Sequence, residues 1–188
     1  MAALPAKKRK PSWLKIKLPK DNNYFFVSRT VTGHNLHTIC RSARCPNMAE
    51  CWSKKTATFL ILGNICTRDC AFCAVPKGIP RPLSPEEPEQ VADTALRMGL
   101  RYAVVTSVTR DDLEDGGAGH FAATIRVLRK RNPGIKVEVL IPDFAGDKEA
   151  LEQVVREKPE VMNHNVEVPQ SLYPSIRRKA ENYQRTLN

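Results

Sequence analysis

Apolar residues follow two different periods along the last two thirds of the chain. Short apolar, β-branched runs predict strands at residues 58–62, 102–108, 137–141 and 161–168. Apolar stripes with spacings of three and four predict helices at residues 88–98, 119–131 and 148–157. We expect the third helix to bury Leu151, Val154 and Val155.

The alternation of strand and helix predicts an α/β fold with a parallel sheet, because parallel neighbours need crossover connections. Ligands in such folds gather at the carboxyl ends of the strands. Four strands do not close a parallel barrel, and the sequence ends inside what resembles a further helix. We therefore expect either an open partial barrel or a piece of a longer protein.

The first third of the chain differs in character. It opens with seven basic residues and no acidic residue before Asp21, which are Lys7, Lys8, Arg9, Lys10, Lys15, Lys17 and Lys20. We predict a flexible basic leader at residues 1–25, a loop-rich extension at 26–56 and the partial barrel at 57–188. The formal net charge of +10 is concentrated in the leader, so we expect no nucleic-acid partner, although the arm could attract an acidic one.

Six cysteines form two triplets with spacings typical of metal ligands. The first is Cys40, Cys45 and Cys51, and the second is Cys66, Cys70 and Cys73. The second triplet follows the predicted strand 58–62. It offers three thiolates where a closed site offers four, so an iron–sulfur cluster there would keep one iron open to a ligand.

Two other interpretations of the cysteines remain open. A disulfide framework needs an oxidising compartment, and no apolar signal-peptide stretch precedes the triplets. A zinc site could use His34 and His37 beside Cys40. Clusters and free thiolates need a reducing compartment, so we expect the cytoplasm or, alternatively, the mitochondrial interior. No segment is apolar enough to suggest a membrane span.

Polar side chains alternate along the last predicted strand. Asn163, Asn165 and Glu167 would share one face, and Glu138 on the preceding strand is a further candidate for it. We expect this face to bind a ligand, and an ordinary solvated face is the alternative. Thr106 and Ser107 end the second strand. The glycine-containing loop that follows them suits either a ligand loop or a turn before a helix.

These motifs together resemble the lipoyl synthase family of the radical S-adenosylmethionine superfamily, from about Pro11 to the last residue. The second triplet alone is typical of the superfamily, and the first makes the resemblance specific. The matching segments besides the second triplet are Arg29-Thr30-Val31, Leu36-His37-Thr38-Ile39-Cys40, Ser42-Ala43-Arg44-Cys45-Pro46-Asn47, Glu50-Cys51-Trp52, Ala57-Thr58-Phe59-Leu60, Thr106-Ser107-Val108, Arg110-Asp111-Asp112, Asp115-Gly116-Gly117, Ile141-Pro142-Asp143-Phe144 and Asn163-His164-Asn165.

The resemblance implies two 4Fe-4S clusters. One, on the second triplet, would bind and reductively cleave S-adenosylmethionine, and the other, on the first triplet, would donate sulfur. The implied reaction inserts two sulfur atoms into an octanoyl chain on a lysine of a lipoyl carrier protein or domain, with a reducing electron donor as a second partner. The implied cofactor-binding residues are Phe72, Thr106, Ser107, Asn163, Asn165 and Glu167.

The sequence departs from the family in three ways. The family's serine ligand from an Arg-Ser-Ser-Tyr stretch has no counterpart, about two of the six barrel strands are absent, and Val168 replaces the usual threonine. We therefore expect low activity or stability from these 188 residues alone. Another radical S-adenosylmethionine enzyme, and a non-catalytic iron–sulfur or zinc-binding module, are the alternative functions.

Overall fold

A five-stranded sheet lies at the centre of the chain in a computed structural model. The structure describes residue 11, residues 22–34 and residues 36–188. The basic residues of the predicted leader lie outside these described residues. Residues 22–25, which we expected in the leader, begin the first described helix.

Strand order follows the sequence, from β1 to β5. The four strands β2 to β5 are parallel, and β1 pairs with β2 in the antiparallel direction. The bounds are His37–Thr38 for β1, Thr58–Ile61 for β2, Tyr102–Ser107 for β3, Lys136–Leu140 for β4 and Val161–Asn163 for β5. The predicted parallel sheet is confirmed, and it is not closed into a barrel. The pattern did not predict β1, because two residues are too few to show a period.

Seven α-helices lie within the described residues. They are α1 (Asn22–Gly33), α2 (Ile39–Ser42), α3 (Met48–Ser53), α4 (Glu87–Met98), α5 (Ala118–Arg131), α6 (Lys148–Arg156) and α7 (Glu181–Leu187). The three helices that we predicted correspond to α4, α5 and α6. Short 3₁₀-helices lie at Phe144–Gly146, Gln170–Leu172 and Pro174–Ile176.

The main core lies between the sheet and helices α4 to α6. Phe59, Val105 and Val139 are fully buried on successive strands. They occupy paired positions in the parallel register, which places them on one face of the sheet. The opposite face, at positions such as Thr106 and Leu140, is left to form the site. The hydrophobic pattern therefore decides which face of the sheet can bind a ligand.

The burial that we predicted for α6 is wrong at two of three positions. Val154 is fully buried, as is Ala150 one turn earlier, but Leu151 and Val155 are exposed. Residues four apart, such as Ala150 and Val154, share one helix face. Leu151 and Val155 each follow one of them and therefore lie on a different side of the helix. The buried stripe of α6 is therefore narrower than its apolar pattern suggested.

The extension before β2 is more helical than we expected. Helix α1 packs on α3, burying Val27 and Val31 beside the fully buried Trp52. Two valines four residues apart make a stripe too narrow for a clear helical period. Tertiary packing rather than a strong amphipathic pattern stabilises this helix.

The structure also bears on a membrane location. None of the helices in the described part of the chain has the length and apolarity needed to cross a membrane.

Candidate active site

Three cysteines meet at one cavity on the carboxyl-terminal side of the sheet. Cys66, Cys70 and Cys73 all line this cavity, which has a volume of about 410 Å³ and which we call the first cavity. Its other walls include the ends of β3 and β4 and the segment that follows β5. All three cysteines are free thiols. The predicted strand-end location of this triplet is confirmed.

Backbone hydrogen bonds hold the cysteine loop in place on both sides. The Cys66 N–H donates to the Pro76 carbonyl at 2.9 Å, and the Gly78 N–H donates to the Cys66 carbonyl at 3.1 Å. On the other side, the Ala71 N–H donates to the Ile176 carbonyl at 3.0 Å. The loop is thus closed on itself and anchored to the segment after β5.

Arg68, between the first two cysteines of this loop, binds two aspartates at once. Its guanidinium donates to both carboxylate oxygens of Asp111, with Nε–Oδ2 and Nη2–Oδ1 distances of 2.8 and 2.7 Å. It also donates to both oxygens of Asp143, with Nη1–Oδ2 and Nη2–Oδ1 distances of 2.9 and 2.6 Å. Asp111 follows β3 and Asp143 follows β4, so Arg68 joins the cysteine loop to two strand ends.

This ion-pair network shifts the pKa of Asp143 and that of Arg68. Burial by itself would raise the pKa of Asp143, whose side chain is 1% exposed, but the hydrogen bonds and charge of Arg68 outweigh it and lower the pKa. Burial likewise opposes the charged form of Arg68, yet hydrogen bonds to Asp111 and Asp143 raise its pKa. Both groups are therefore held in their charged forms.

The Cys70 thiol has a raised pKa because of its burial. The neighbouring Cys66 and Cys73 raise the pKa further, whereas the positive charges of Arg178 and Arg68 oppose the increase. Thiolates so close together repel one another, and a bound metal centre would relieve that repulsion. The donor set of three thiols on one cavity therefore fits an iron–sulfur cluster.

Three more of the predicted residues line the first cavity. They are Thr106, Ser107 and Phe72, and the Phe72 ring is 54% exposed at the edge. The Thr106 hydroxyl donates to the Leu140 carbonyl at 3.0 Å. The Ser107 hydroxyl is buried and has no hydrogen-bond partner among the described residues. Since buried hydroxyls usually have partners, Ser107 is available to a ligand.

The polar face that we predicted on β5 is partly wrong. The strand ends at Asn163, so the alternation does not continue through Glu167. Asn165 and Glu167 line the first cavity, but Asn163 does not, and its amide donates to Glu138 Oε1 at 2.7 Å. Neither Asn163 nor Glu138 contacts this cavity. The two residues instead form a hydrogen bond between adjacent strands.

His164 lines the first cavity although the predicted strand would have pointed it away. Its Nδ1 lies 2.8 Å from the Ile141 carbonyl, and its Nε2 lies 3.2 Å from the Thr186 hydroxyl. A carbonyl oxygen can only accept, so Nδ1 carries the hydrogen. His164 thereby connects the end of β4 to helix α7 beside the cavity.

The other triplet lines a second cavity of about 240 Å³, which we call the second cavity. Cys40, Cys45 and Cys51 all lie on it, and all are free thiols. Ile39 and Ala43 line both the first and the second cavity, so the two cysteine sites are neighbours. Burial, followed by the nearby Cys40 and Cys45, raises the pKa of Cys51. Three converging thiols fit an iron–sulfur cluster here too.

The histidines proposed for a zinc site lie elsewhere. His34 Nδ1 is 2.9 Å from the Thr94 hydroxyl, and His37 lines a separate cavity together with Glu87 and Arg81. Neither histidine lines the second cavity. Across residues 22–34 and 36–188, no group of three or more His, Cys, Asp or Glu side chains surrounds a single metal-ion position. In an iron–sulfur cluster, by contrast, the thiolates are spread over several iron atoms.

The glycine-containing loop after β3 forms a helix cap rather than a ligand loop. Asp115 accepts from the Gly117 N–H at 2.8 Å and from the Gly119 N–H at 2.7 Å. Gly117 has a φ of +93° and packs against Leu62. Residues 115–117 do not line the first cavity. Of the two interpretations that we gave for this loop, the structure therefore supports the turn.

The structure adds cavity residues that the sequence pattern did not predict. Arg68, Asp143, His164 and Arg178 all line the first cavity. Asp143 and His164 stood inside quoted motifs but had no assigned role. Arg178 belongs to a basic run that resembles an ordinary solvated surface. No period or spacing in the sequence indicates that these four residues meet.

Comparison with known protein families agrees with this geometry. The model of the radical SAM superfamily matches residues 60–188, and that of the N-terminal domain of lipoyl synthase of the Radical SAM family matches residues 3–45. The chain belongs to the radical S-adenosylmethionine superfamily. This membership implies a 4Fe-4S cluster and S-adenosylmethionine as cofactors.

Curated relatives specify the resemblance further. The chain is 53% identical to a lipoyl synthase of Rubrobacter xylanophilus over 95% of its own length and 55% of the relative's. It is 53% identical to a lipoyl synthase of Chlorobaculum parvum, over 95% of the chain and 61% of the relative. It is 57% identical to a lipoyl synthase of Caldanaerobacter subterraneus subsp. tengcongensis, over 96% of the chain and 62% of the relative. The resemblance to lipoyl synthases is confirmed, and the chain spans about 55–62% of these relatives' length.

Proposed function

We propose that this chain supplies the cluster-binding part of a lipoyl synthase. The reaction is the insertion of two sulfur atoms into the octanoyl chain on a lysine of a lipoyl carrier protein or domain. One observation supports this function best: two cysteine triplets line neighbouring cavities that share Ile39 and Ala43 as walls. A reaction that joins a radical to a sulfur donor needs both sites at one substrate.

Each triplet would hold one 4Fe-4S cluster. Cys66, Cys70 and Cys73 would hold the cluster that leaves one iron open, and Arg68 would keep their loop against the strand ends. Cys40, Cys45 and Cys51 would hold the auxiliary cluster. When bound, these groups would supply reductive cleavage of S-adenosylmethionine to a 5'-deoxyadenosyl radical, hydrogen abstraction from the octanoyl chain and sulfur for the new bonds.

The polar lining of the first cavity would orient S-adenosylmethionine. Ser107 has a buried hydroxyl without a described partner, and Asn165 and Glu167 offer hydrogen-bonding groups at the same cavity. Phe72 offers an exposed ring at its edge. Thr106, on β3, contributes by binding the Leu140 carbonyl of β4 through its hydroxyl. We assign Asn163 to the sheet rather than to the cofactor, because its amide binds Glu138.

The proposed partners are the octanoylated carrier and a reducing electron donor. We expect no nucleic-acid partner. The proposed clusters on both cavities need cysteines that stay reduced, so we expect a reducing compartment. The cytoplasm fits this requirement, and the mitochondrial interior is the alternative.

Two triple variants, made in a version of the chain extended to the length of its relatives, test the proposal. After anaerobic reconstitution, we expect about eight irons per parent chain and about four in each variant, because each cluster contains four irons. Replacing Cys66, Cys70 and Cys73 with alanine should abolish S-adenosylmethionine cleavage. Replacing Cys40, Cys45 and Cys51 should preserve cleavage but abolish formation of lipoyl groups on an octanoylated carrier.

Three results would contradict the proposal. Stoichiometric zinc in place of iron would favour a zinc-binding module. Lipoyl formation at the parent rate after loss of Cys40, Cys45 and Cys51 would mean that this triplet does not hold the sulfur donor. Full iron occupancy in either variant would mean that the triplets are not the cluster ligands.

A further inference from the structure

The positive charge of the described residues is concentrated before β2. Residues 57–188 contain eighteen basic and eighteen acidic residues, so their formal charges balance. Residues 22–56 contain one acidic residue, Glu50, and five basic residues, which are Arg29, Arg41, Arg44, Lys54 and Lys55. Glu50 pairs with Lys54 at 2.7 Å, and the other four basic residues form no ion pair with any described residue. The unbalanced charge therefore lies in the segment that holds the first cysteine triplet.

One side of α1 presents part of this charge to solvent. Val27 and Val31 are fully buried, so they mark the inward side of the helix. Phe25, Arg29 and Thr32 are exposed, and their spacings of four and three residues place them together on the outward side. The Phe25 ring is 56% exposed, which leaves much of its apolar area uncovered. The outward side of α1 thus combines an apolar ring with a cation.

Arg41, from α2, adds a second positive charge beside this side of α1. Its Nη1 donates to the Thr32 hydroxyl at 2.9 Å, and its Nη2 donates to the Ser28 hydroxyl at 2.6 Å. Its guanidinium carbon lies 5.1 Å from the centroid of the Trp52 ring. These contacts hold the arginine against α1, but none of them neutralises its charge. The α1 surface, as we call it, consists of Phe25, Arg29, Thr32 and Arg41.

Helix α2 connects the α1 surface to the two cysteine sites. Arg41 is exposed, whereas Ile39, two residues earlier, lines both the first and the second cavity. Ala43, two residues later, lines both cavities as well. A molecule bound on the α1 surface would therefore lie beside the wall that the two cavities share.

The chemistry of the α1 surface fits a protein better than a small molecule. Small molecules bind in concave sites, and Phe25, Arg29 and Arg41 line none of the three cavities described above. Arginines and large aromatic rings contribute much of the binding energy at protein interfaces. A guanidinium also forms two-pronged hydrogen bonds with carboxylates. The α1 surface is therefore suited to an acidic protein surface.

We propose that the α1 surface docks the octanoylated carrier through an acidic patch of that protein. This inference rests on the proposed function, in which the substrate is attached to a lysine of the carrier. Docking outside the cavities leaves the first and second cavities free for the modified lysine and the reaction. Exposed cations attract an acidic partner over a range that salt shortens, so carrier binding should weaken as the salt concentration rises.

Two substrates separate docking from chemistry. The parent and R29E, both extended to the length of the relatives and reconstituted anaerobically, are compared on an octanoylated carrier domain and on a short peptide with the same octanoyl-lysine. Calorimetry without reductant measures carrier affinity, and mass spectrometry measures lipoyl formation on the peptide. We expect R29E to weaken carrier binding about 10-fold, because an attraction becomes a repulsion. Peptide conversion should be unchanged, because the peptide lacks the rest of the carrier surface.

Matched variants control for charge and for apolar area. R97E reverses the charge of an exposed arginine on α4, outside the α1 surface, and should not change carrier affinity. R29E and R97E have the same net charge, so a difference between them reports the position of the charge. F25A should weaken carrier binding, whereas L96A, which truncates a side chain that is 55% exposed, should not. Added salt should weaken carrier binding by the parent more than by R29E.

The outcomes separate this inference from the proposed function. If R29E binds the carrier as the parent does, or if R97E weakens binding as much as R29E, the docking assignment is wrong. It is also wrong if R29E lowers peptide conversion to the same extent, because Arg29 would then act on the cysteine sites or on the fold. A DNA duplex that the parent prefers to the carrier and that R29E releases would assign the surface to nucleic acid instead. If the parent converts neither substrate, the proposed function fails and the docking assignment fails with it.

Discussion

Arg68 and Asp143 form a two-pronged ion pair, with an Nη1–Oδ2 distance of 2.9 Å and an Nη2–Oδ1 distance of 2.6 Å. The arginine lies between Cys66 and Cys70, and the aspartate follows β4. The pair therefore joins the cysteine loop to the carboxyl end of the sheet. It therefore helps to hold the three cysteines of this loop at fixed positions beside the sheet.

Breaking this pair should destabilise the fold. We expect R68Q to lower the free energy of unfolding by about 3 kcal/mol, because the buried Asp143 carboxylate would keep only the longer ion-pair contacts to Arg178 and Arg185, at 3.8 and 3.7 Å. D143N should cost less, because Arg68 keeps both hydrogen bonds to Asp111. Urea unfolding monitored by circular dichroism measures this change. R126Q is the matched control, since Arg126 pairs with Glu157 while 65% exposed, and its loss should cost less than about 1 kcal/mol. Equal losses would show that the buried pair has no special role.

The same pair predicts a decline in stability at acid pH. Burial opposes the charged Asp143, but Arg68 lowers its pKa below the ordinary aspartate value of about 3.9. The contribution of Asp143 is therefore fully present above that value and declines as the pH falls from it towards the lower folded-state pKa. In unfolding measurements from pH 7 to pH 3, D143N should lack this part of the decline. A parent and variant with the same acid profile would contradict the prediction.

A substitution at Gly117 tests how closely Leu62, which follows β2, packs against the start of α5. A Cβ at this position would lie 2.4 Å from Leu62 Cδ1, and the φ of +93° disfavours a side chain. We expect G117A to cost about 2 to 3 kcal/mol from crowding and backbone strain together. G134A isolates the strain, because Gly134 has a φ of +84° and no atom near its Cβ position. A G117A loss no larger than that of G134A would mean that Leu62 adjusts freely.

Asn165 and Glu167 should affect ligand binding more than folding. Both line the first cavity, so N165L or E167L should weaken S-adenosylmethionine binding while the melting temperature changes little. Asn163 is the control from the same segment. N163L should lower stability by about 1 kcal/mol, through the lost bond to Glu138, and leave the affinity unchanged. The opposite pattern would restore the original assignment of Asn163.

Ser107 should respond differently from Thr106. The Ser107 hydroxyl has no partner in the described structure, so S107A should not lower the free energy of unfolding but should weaken S-adenosylmethionine binding. T106V loses the bond to the Leu140 carbonyl and should be less stable. Calorimetric melting and equilibrium dialysis distinguish these two results. A destabilised S107A with normal affinity would assign Ser107 to the fold.

The sequence by itself determined the parallel sheet, the three helices α4, α5 and α6, and the grouping of the cysteines. Strand and helix periods are local properties, and a ligand triplet such as Cys66, Cys70 and Cys73 is local as well. Their resemblance to lipoyl synthases also depends only on the order of residues. These features needed no knowledge of contacts between distant segments.

Only the tertiary structure decided which polar residues reach the cavity. Asn163 shares the predicted period with Asn165, but β5 ends at Asn163 and the backbone then leaves the strand conformation. Arg68 meets Asp143 across 75 positions. Arg178 reaches the cavity through a turn that follows a 3₁₀-helix. Such long-range contacts depend on how elements pack together, and a one-dimensional pattern contains no information on that packing.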